Sequence, residues 1–137
     1  MYDPDAVVRE AHSWLGTPYH HRARIKGVGI DCANLVLAVF EAVGAIDHVN
    51  PEYPRDWHLN RGEERFIVWL ERLGAKQVET PQKGDVGVWR YGRLFSHGGI
   101  FVSDVDVIHS YFGMGVIKTR IDQDPLAGRL VQYWRFQ

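Results

Sequence analysis

The sequence predicts an α+β domain in which N-terminal helices pack on a five- to six-stranded antiparallel sheet. Apolar residues recur at helical spacing in the first half of the chain. From Gly84 onward the character changes to short β-rich runs split by turn residues. Between Cys32 and Val43 the helical stretch is apolar almost all round, so it must be buried, and an adjoining sheet is the surface available to cover it. At 137 residues one core is enough, and the whole chain, 1–137, reads as a single domain.

Each element follows from local chemistry. Asp3 and Pro4 read as N-cap and first helical residue; Val7, Val8, Ala11, Trp14 and Leu15 then mark one helical face until Gly16 and Pro18. A polar, glycine-punctuated segment runs from Thr17 to Gly29. The apolar second helix starts at Cys32 and should end at Gly44. Residues 46–59, "IDHVNPEYPRDWHL", carry prolines and little periodicity and read as a surface excursion. Asn60 with Glu63 resembles a capping box, ahead of a third helix marked by Phe66, Ile67, Trp69, Leu70 and Leu73 and closed by Gly74. The strands are expected in "DVGVWR", "SHGGIFV", "VDVIHSYF", "VIKTRI" and "LVQYWRF", spaced as an antiparallel meander.

Composition removes several classes of function. With 16 basic and 17 acidic side chains the net charge is −1, so no global field draws the chain to nucleic acid or an anionic membrane. The cluster His20, His21, Arg22, Arg24 and Lys26 reads as a solvated loop. The start, "MYDPDAVVRE", has neither the basic nor the apolar region of an export signal, and Asn34 and Glu41 interrupt the longest apolar stretch. No signal peptide and no membrane insertion are expected. A single cysteine can form neither an internal disulfide nor a CxxC zinc site, which leaves core filler, lone ligand or nucleophile.

The position of Cys32 favours reactivity. The first turn of a helix offers unpaired N–H groups and the positive end of the macrodipole, both of which stabilise a thiolate. A nucleophilic thiol also needs an imidazole. His12, His48 and His58 read as solvated. His97 differs, opening a strand before Gly98 and Gly99, which leave room for another element to approach; His109 lies in the next strand. With a hairpin loop of Val102, Ser103 and Asp104, Phe101 pairs with Val105 and His97 stands opposite His109 on the same face, close enough for one ring to orient the other. A two-residue loop would put them on opposite faces unless a bulge restored the phase.

In this order and spacing, "GTPYHHRARIKGVGIDCANLV", "GDVGVWRYGRLFSHGGIFV" and "VIHSYFGMGVI" resemble the NlpC/P60 cysteine peptidases, papain-like enzymes that cut bacterial cell-wall peptides. The resemblance implies a papain-like fold with Cys32 as nucleophile, His97 as general base and His109 orienting His97. Tyr19 would help hold the substrate carbonyl or its oxyanion with the Cys32 N–H, or else anchor its loop. Asp31 would pair with a substrate ammonium, or else only cap the helix. No cofactor and no metal are implied. Two departures stand out: Ala33-Asn34 replaces the usual Ser-Gly, and Arg22-Ala23 replaces the usual Gly-Gly.

"YPRDWHLNRGEERF" and "GRLFSHGGI" look most like short family members encoded among phage and prophage tail genes. That likeness implies a protein made in the cytoplasm, carried with tail proteins, and acting on the peptidoglycan peptide at the bacterial wall. Trp57 and His58 would then wall the cleft or simply pack their loop. The bond implied by the family is the D-γ-glutamyl to diamino acid amide. Two readings from other classes remain open at this point: a zinc amidase using His97, His109 and Cys32 or Asp31, and a non-catalytic structural or wall-binding tail protein.

Overall fold

The structure, a computed structural model, describes residues 2–47 and 65–137. The element order is α1 (Pro4–Ser13), β1 (Arg24–Ile25), β2 (Gly29–Ile30), α2 (Cys32–Ala42), α3 (Arg65–Arg72), β3 (Ala75–Val78), β4 (Val86–Tyr91), β5 (Leu94–Phe101), β6 (Asp106–Tyr111), β7 (Gly115–Arg120) and β8 (Val131–Phe136). The six-stranded sheet has the order β3-β8-β4-β5-β6-β7, with antiparallel pairs throughout. The α+β expectation therefore holds. The simple meander does not: β8 returns from the far edge to lie between β3 and β4.

The first two helices form for the predicted reasons. Asp3 caps α1 by accepting from the Asp5 amide at 2.9 Å, and Pro4 follows. Residues Asn34 to Phe40 of α2 are all buried, as a helix apolar on every side requires. Gly44, at φ +78°, ends that helix in the left-handed conformation glycine tolerates. The capping box proposed at Asn60 and Glu63 lies outside the described residues.

Two layers of core cover the sheet. On one face Val86, Val88, Ile100, Ile108 and Val116 pack with Val7, Leu35, Val39, Phe40, Phe66 and Leu70 from the helices. On the other, Trp89, Phe101 and Val107 meet Leu126 from the β7–β8 connection. Four consecutive buried residues, Val86–Trp89, are the result in β4. The neighbouring strands β4 and β8 are tied by Arg135, which makes hydrogen bonds of 2.8 and 2.9 Å to the Asp85 carboxylate, itself accepting from the Gln82 amide at 2.8 Å.

The β5–β6 hairpin corrects the expected register. Ile100 pairs with Ile108 and Phe101 with Val107, and the Val102 amide donates to the Asp106 carbonyl at 2.9 Å, so the turn residues are Ser103, Asp104 and Val105. The Ser103 hydroxyl fixes this choice by accepting from the amides of Val105 at 3.2 Å and Asp106 at 2.9 Å. The slip equals two residues in total, so the shared face survives while direct opposition does not. His109 falls beside Gly99, and His97 reaches it diagonally.

A methyl group at Gly99 would stand 2.6 Å from Val107 Cγ1 and 3.0 Å from His109 Cβ. Neither neighbour can swing away, because both atoms sit close to backbone. We expect Gly99→Ala to cost about 1–3 kcal/mol in denaturant unfolding, as overpacking does, and to move the His109 ring resonances. Wild-type stability with unmoved resonances would show that the β5–β6 spacing is not set here.

Candidate active site

The head of α2 is built by Asp31. Its Oδ1 accepts from the Asn34 amide at 2.8 Å and its Oδ2 from the Arg22 amide at 2.6 Å, so one buried carboxylate caps the helix and staples the preceding loop. His21 Nδ1 lies 3.9 Å from the same Oδ2. Arg22, at φ +66°, adopts a left-handed conformation that a non-glycine residue rarely takes. The other loop cations are paired across to helices, Arg24 with Glu41 and Lys26 with Glu10 at 3.2 Å, so no continuous basic patch forms from them.

Cys32 follows at the first position of α2 and presses against β5. Its Sγ lies 3.8 Å from the Ser96 carbonyl oxygen, and the Gly98 amide is near enough to favour its charged form. The sulfur is thus held against the backbone on both sides of His97. Both residues line a cleft of about 240 Å³ together with Tyr19, His21, Asp31, Tyr91, Ser96, Ser110, Tyr111 and Phe112. A tighter hollow of about 20 Å³ between α2 and α3 is lined by Ala33, Val36, Leu37, Phe66, Trp69, Leu70 and Leu73, which bring no titratable group. The larger cleft is the one equipped for chemistry.

His97 and His109 meet at 2.7 Å, Nε2 to Nδ1, and His109 Nε2 lies 2.9 Å from Thr119 Oγ1. Edge-on aromatic rings wall His97, Tyr91 at 5.3 Å and Tyr111 at 5.4 Å between centroids. With Nε2 committed to His109, Nδ1 is the nitrogen left for the cleft. Burial pushes His97 well below the usual imidazole value, with smaller contributions from His109 and Arg129. Burial alone brings His109 down to about 4.

Here the electrostatics run against the expectation from helix position. Burial, then the Asp31 carboxylate, push the Cys32 thiol up to about 12, and the amides of Gly98, Ala33 and Cys32 offset only part of this. The resting pair is thiol and neutral imidazole. Burial, aided by the nearby Asp31 carboxylate, raises Tyr19, so its phenol stays protonated and able to donate.

The structure therefore brings together Cys32, His97, His109, Tyr19 and Asp31. Trp57 and His58 lie outside the described residues. Sequence reading missed Tyr91, Tyr111, Phe112, Ser96 and Thr119, and also Arg129, whose guanidinium lies 3.6 Å over the Tyr91 ring. Only the alternation of Tyr111 with His109 along one strand could have pointed to any of them. Among the described residues no three of His, Cys, Asp and Glu converge as a metal site. The paired nitrogens of His97 and His109 face each other rather than a common point about 2 Å from both. Also among the described residues, no helix is long and apolar enough to cross a membrane.

The profile of the NlpC/P60 family matches residues 16–135. No curated protein sequence matches significantly. Among solved structures, the NlpC/p60 domain of the peptidoglycan hydrolase SagA superposes with a TM-score of 0.64 at 19% identity, covering 95% of this chain and 97% of that domain. NlpC1 from Trichomonas vaginalis gives 0.69 at 18% identity, covering 98% of this chain and 44% of that one. An NlpC/P60 family protein from Bacillus cereus gives 0.66 at 20%, covering 97% and 39%. The chain thus spans under half the length of the last two, and at these identities the likeness establishes the fold.

Two neutral buried imidazoles make stability depend on pH. An unfolded chain binds a proton at each ring below about 6.5, whereas folded His109 resists until about 4. Stability is therefore full above 6.5 and lost as pH falls toward 4, by roughly 3 kcal/mol for His109, with His97 adding in the same direction. Denaturant melts from pH 7.5 to 4.5 should show this slope, and His109→Gln should flatten it. An unchanged slope in that variant would place the titrating group elsewhere.

Proposed function

The chain belongs to the NlpC/P60 family, and from that premise we propose that it is a cysteine peptidase hydrolysing amide bonds in peptidoglycan stem peptides through a Cys32 thioester. The observation that carries this reading is the shared cleft, in which the Cys32 sulfur sits against the backbone flanking His97 while His97 is held by His109. A related fold in a named peptidoglycan hydrolase supports the substrate class.

With thiol and imidazole both neutral at rest, proton transfer accompanies attack. As Sγ bonds to the carbonyl carbon, its proton passes to His97 Nδ1, and His109 Nδ1 accepts from the Nε2–H of the resulting imidazolium. The oxyanion is met by the Tyr19 hydroxyl and the Cys32 N–H. Collapse breaks the C–N bond, and the departing nitrogen takes the proton from Nδ1, leaving the acyl group on sulfur. Water then attacks the thioester, giving its proton to His97; the C–S bond breaks and the sulfur recovers the proton. Asp31 supplies negative charge near the cleft for a substrate ammonium. The bond assigned by family analogy is the D-γ-glutamyl to diamino acid amide. The proposal places the enzyme in a phage or prophage tail, acting at the wall, on the likeness of "YPRDWHLNRGEERF" and "GRLFSHGGI" to tail-gene relatives.

Purified muropeptides test the reaction. Wild type should release fragments whose masses identify the bond, Cys32→Ala should release none, and a chelator should change nothing. Full activity in Cys32→Ala would overturn the mechanism. Since the thiol lies near 12, iodoacetamide should alkylate Cys32 with a rate rising about tenfold per pH unit between 6 and 9, following the thiolate fraction. A rate already level across that range would reveal a preformed thiolate instead.

A further inference from the structure

Thr119 ends the hydrogen-bond chain that begins at His97, and it does so from inside the protein, at 7% exposure. The chain repeats one geometric step. In β6 and β7 Val107 pairs with Thr119 and His109 with Ile117, so Thr119 is the diagonal same-face neighbour of His109. His97 reaches His109 from β5 by the same diagonal. A valine would fill this strand position with the same shape, so the hydroxyl is the feature that packing leaves unexplained.

The two rings are neutral, so each carries a single ring proton. Given the contacts Nε2 to Nδ1 and Nε2 to Oγ1, the protons have two self-consistent arrangements. In one, His97 Nε2–H donates to His109 Nδ1 and His109 Nε2–H donates to the Thr119 oxygen; His97 Nδ1 then holds a lone pair toward the cleft. In the other, Thr119 donates to His109 Nε2, His109 Nδ1–H donates to His97 Nε2, and His97 carries its proton on Nδ1. A ring in that second state has no site for the Cys32 proton. At the inner end of the chain the two arrangements differ only in whether Thr119 accepts or donates.

We propose that Thr119 is a positioning residue that sets the direction of this chain, accepting from His109 so that His97 is held in the tautomer with a bare Nδ1. The proposal deepens the reading of His97 as general base and rests on it for its catalytic consequence. It concerns a proton position, which can be observed without turnover.

Histidine nitrogen NMR on the full chain at neutral pH reads both tautomers directly. Wild type should show Nε2–H at His97 and at His109. Thr119→Val should shift His109 toward Nδ1–H and lower kcat on muropeptides on the order of tenfold, a part of the 10²–10⁴ that a positioned base supplies, with KM unchanged. Thr119→Ser should restore tautomer and kcat together. A wild-type spectrum with Nδ1–H at both rings would overturn the proposal, and so would Thr119→Val with unchanged tautomers and kcat. A thermal melt checks that Thr119→Val folds; if it does not, the wild-type spectrum and Thr119→Ser decide. Activity surviving Cys32→Ala would strike the peptidase reading while leaving the tautomer result to judge Thr119 separately.

Discussion

The docking of α2 against β5 is the contact on which the rest of the molecule depends. A helix with buried residues from Asn34 to Phe40 has no face to offer solvent, so it must be enclosed by α1, α3 and the sheet. Enclosure fixes its axis and the position of its first residue. Asp31 fixes the remaining freedom by capping the helix and holding the Arg22 amide. The sulfur then stands against the backbone at Ser96 and Gly98, and the side chain between them is His97. The meeting of Cys32 with His97 is a by-product of covering an apolar helix.

The same enclosure decides the charge state. A helix N-terminus favours thiolate by roughly 0.3–1 kcal/mol where exposed, while desolvation acts on thiol and imidazole together and in opposite senses. Burial raises the thiol and lowers both imidazoles, so each member of the pair is driven toward its neutral form. A neutral pair makes direction of hydrogen bonding matter more than charge, because no imidazolium is present at rest to anchor the chain. That is why a hydroxyl as remote as that of Thr119 bears on the sulfur.

Much of this was legible in the sequence, and the reasons are specific. Cys32, His97 and His109 could be read because a lone thiol at a helix start, a histidine before two glycines and a histidine one strand on each carry local signals. The face shared by His97 and His109 was legible because strand alternation has period two; the diagonal offset was not, because the Ser103 hydroxyl chooses the turn. Insertion of β8 between β3 and β4 is a tertiary event, driven by the need to pair β3 and to seat Leu126 under the sheet. "AKQV" has too little β-character to announce β3. The walls of the cleft come from turns and strand ends, where spacing along the chain says nothing of distance. Trp57 and His58 belong to residues outside the described structure.

Asp31 shows how one group can serve the fold and constrain the site at once. Both its oxygens accept backbone amides, at 2.8 and 2.6 Å, so its charge is already partly balanced by N–H dipoles. A substrate ammonium would meet a carboxylate that is rigid and cannot turn to follow it. Family members with Ser-Gly after the cysteine carry a hydroxyl beside this carboxylate; here Ala33 supplies none. An amine entering the cleft would then meet Asp31 at fixed range, with the His21 ring already 3.9 Å from one of its two oxygens.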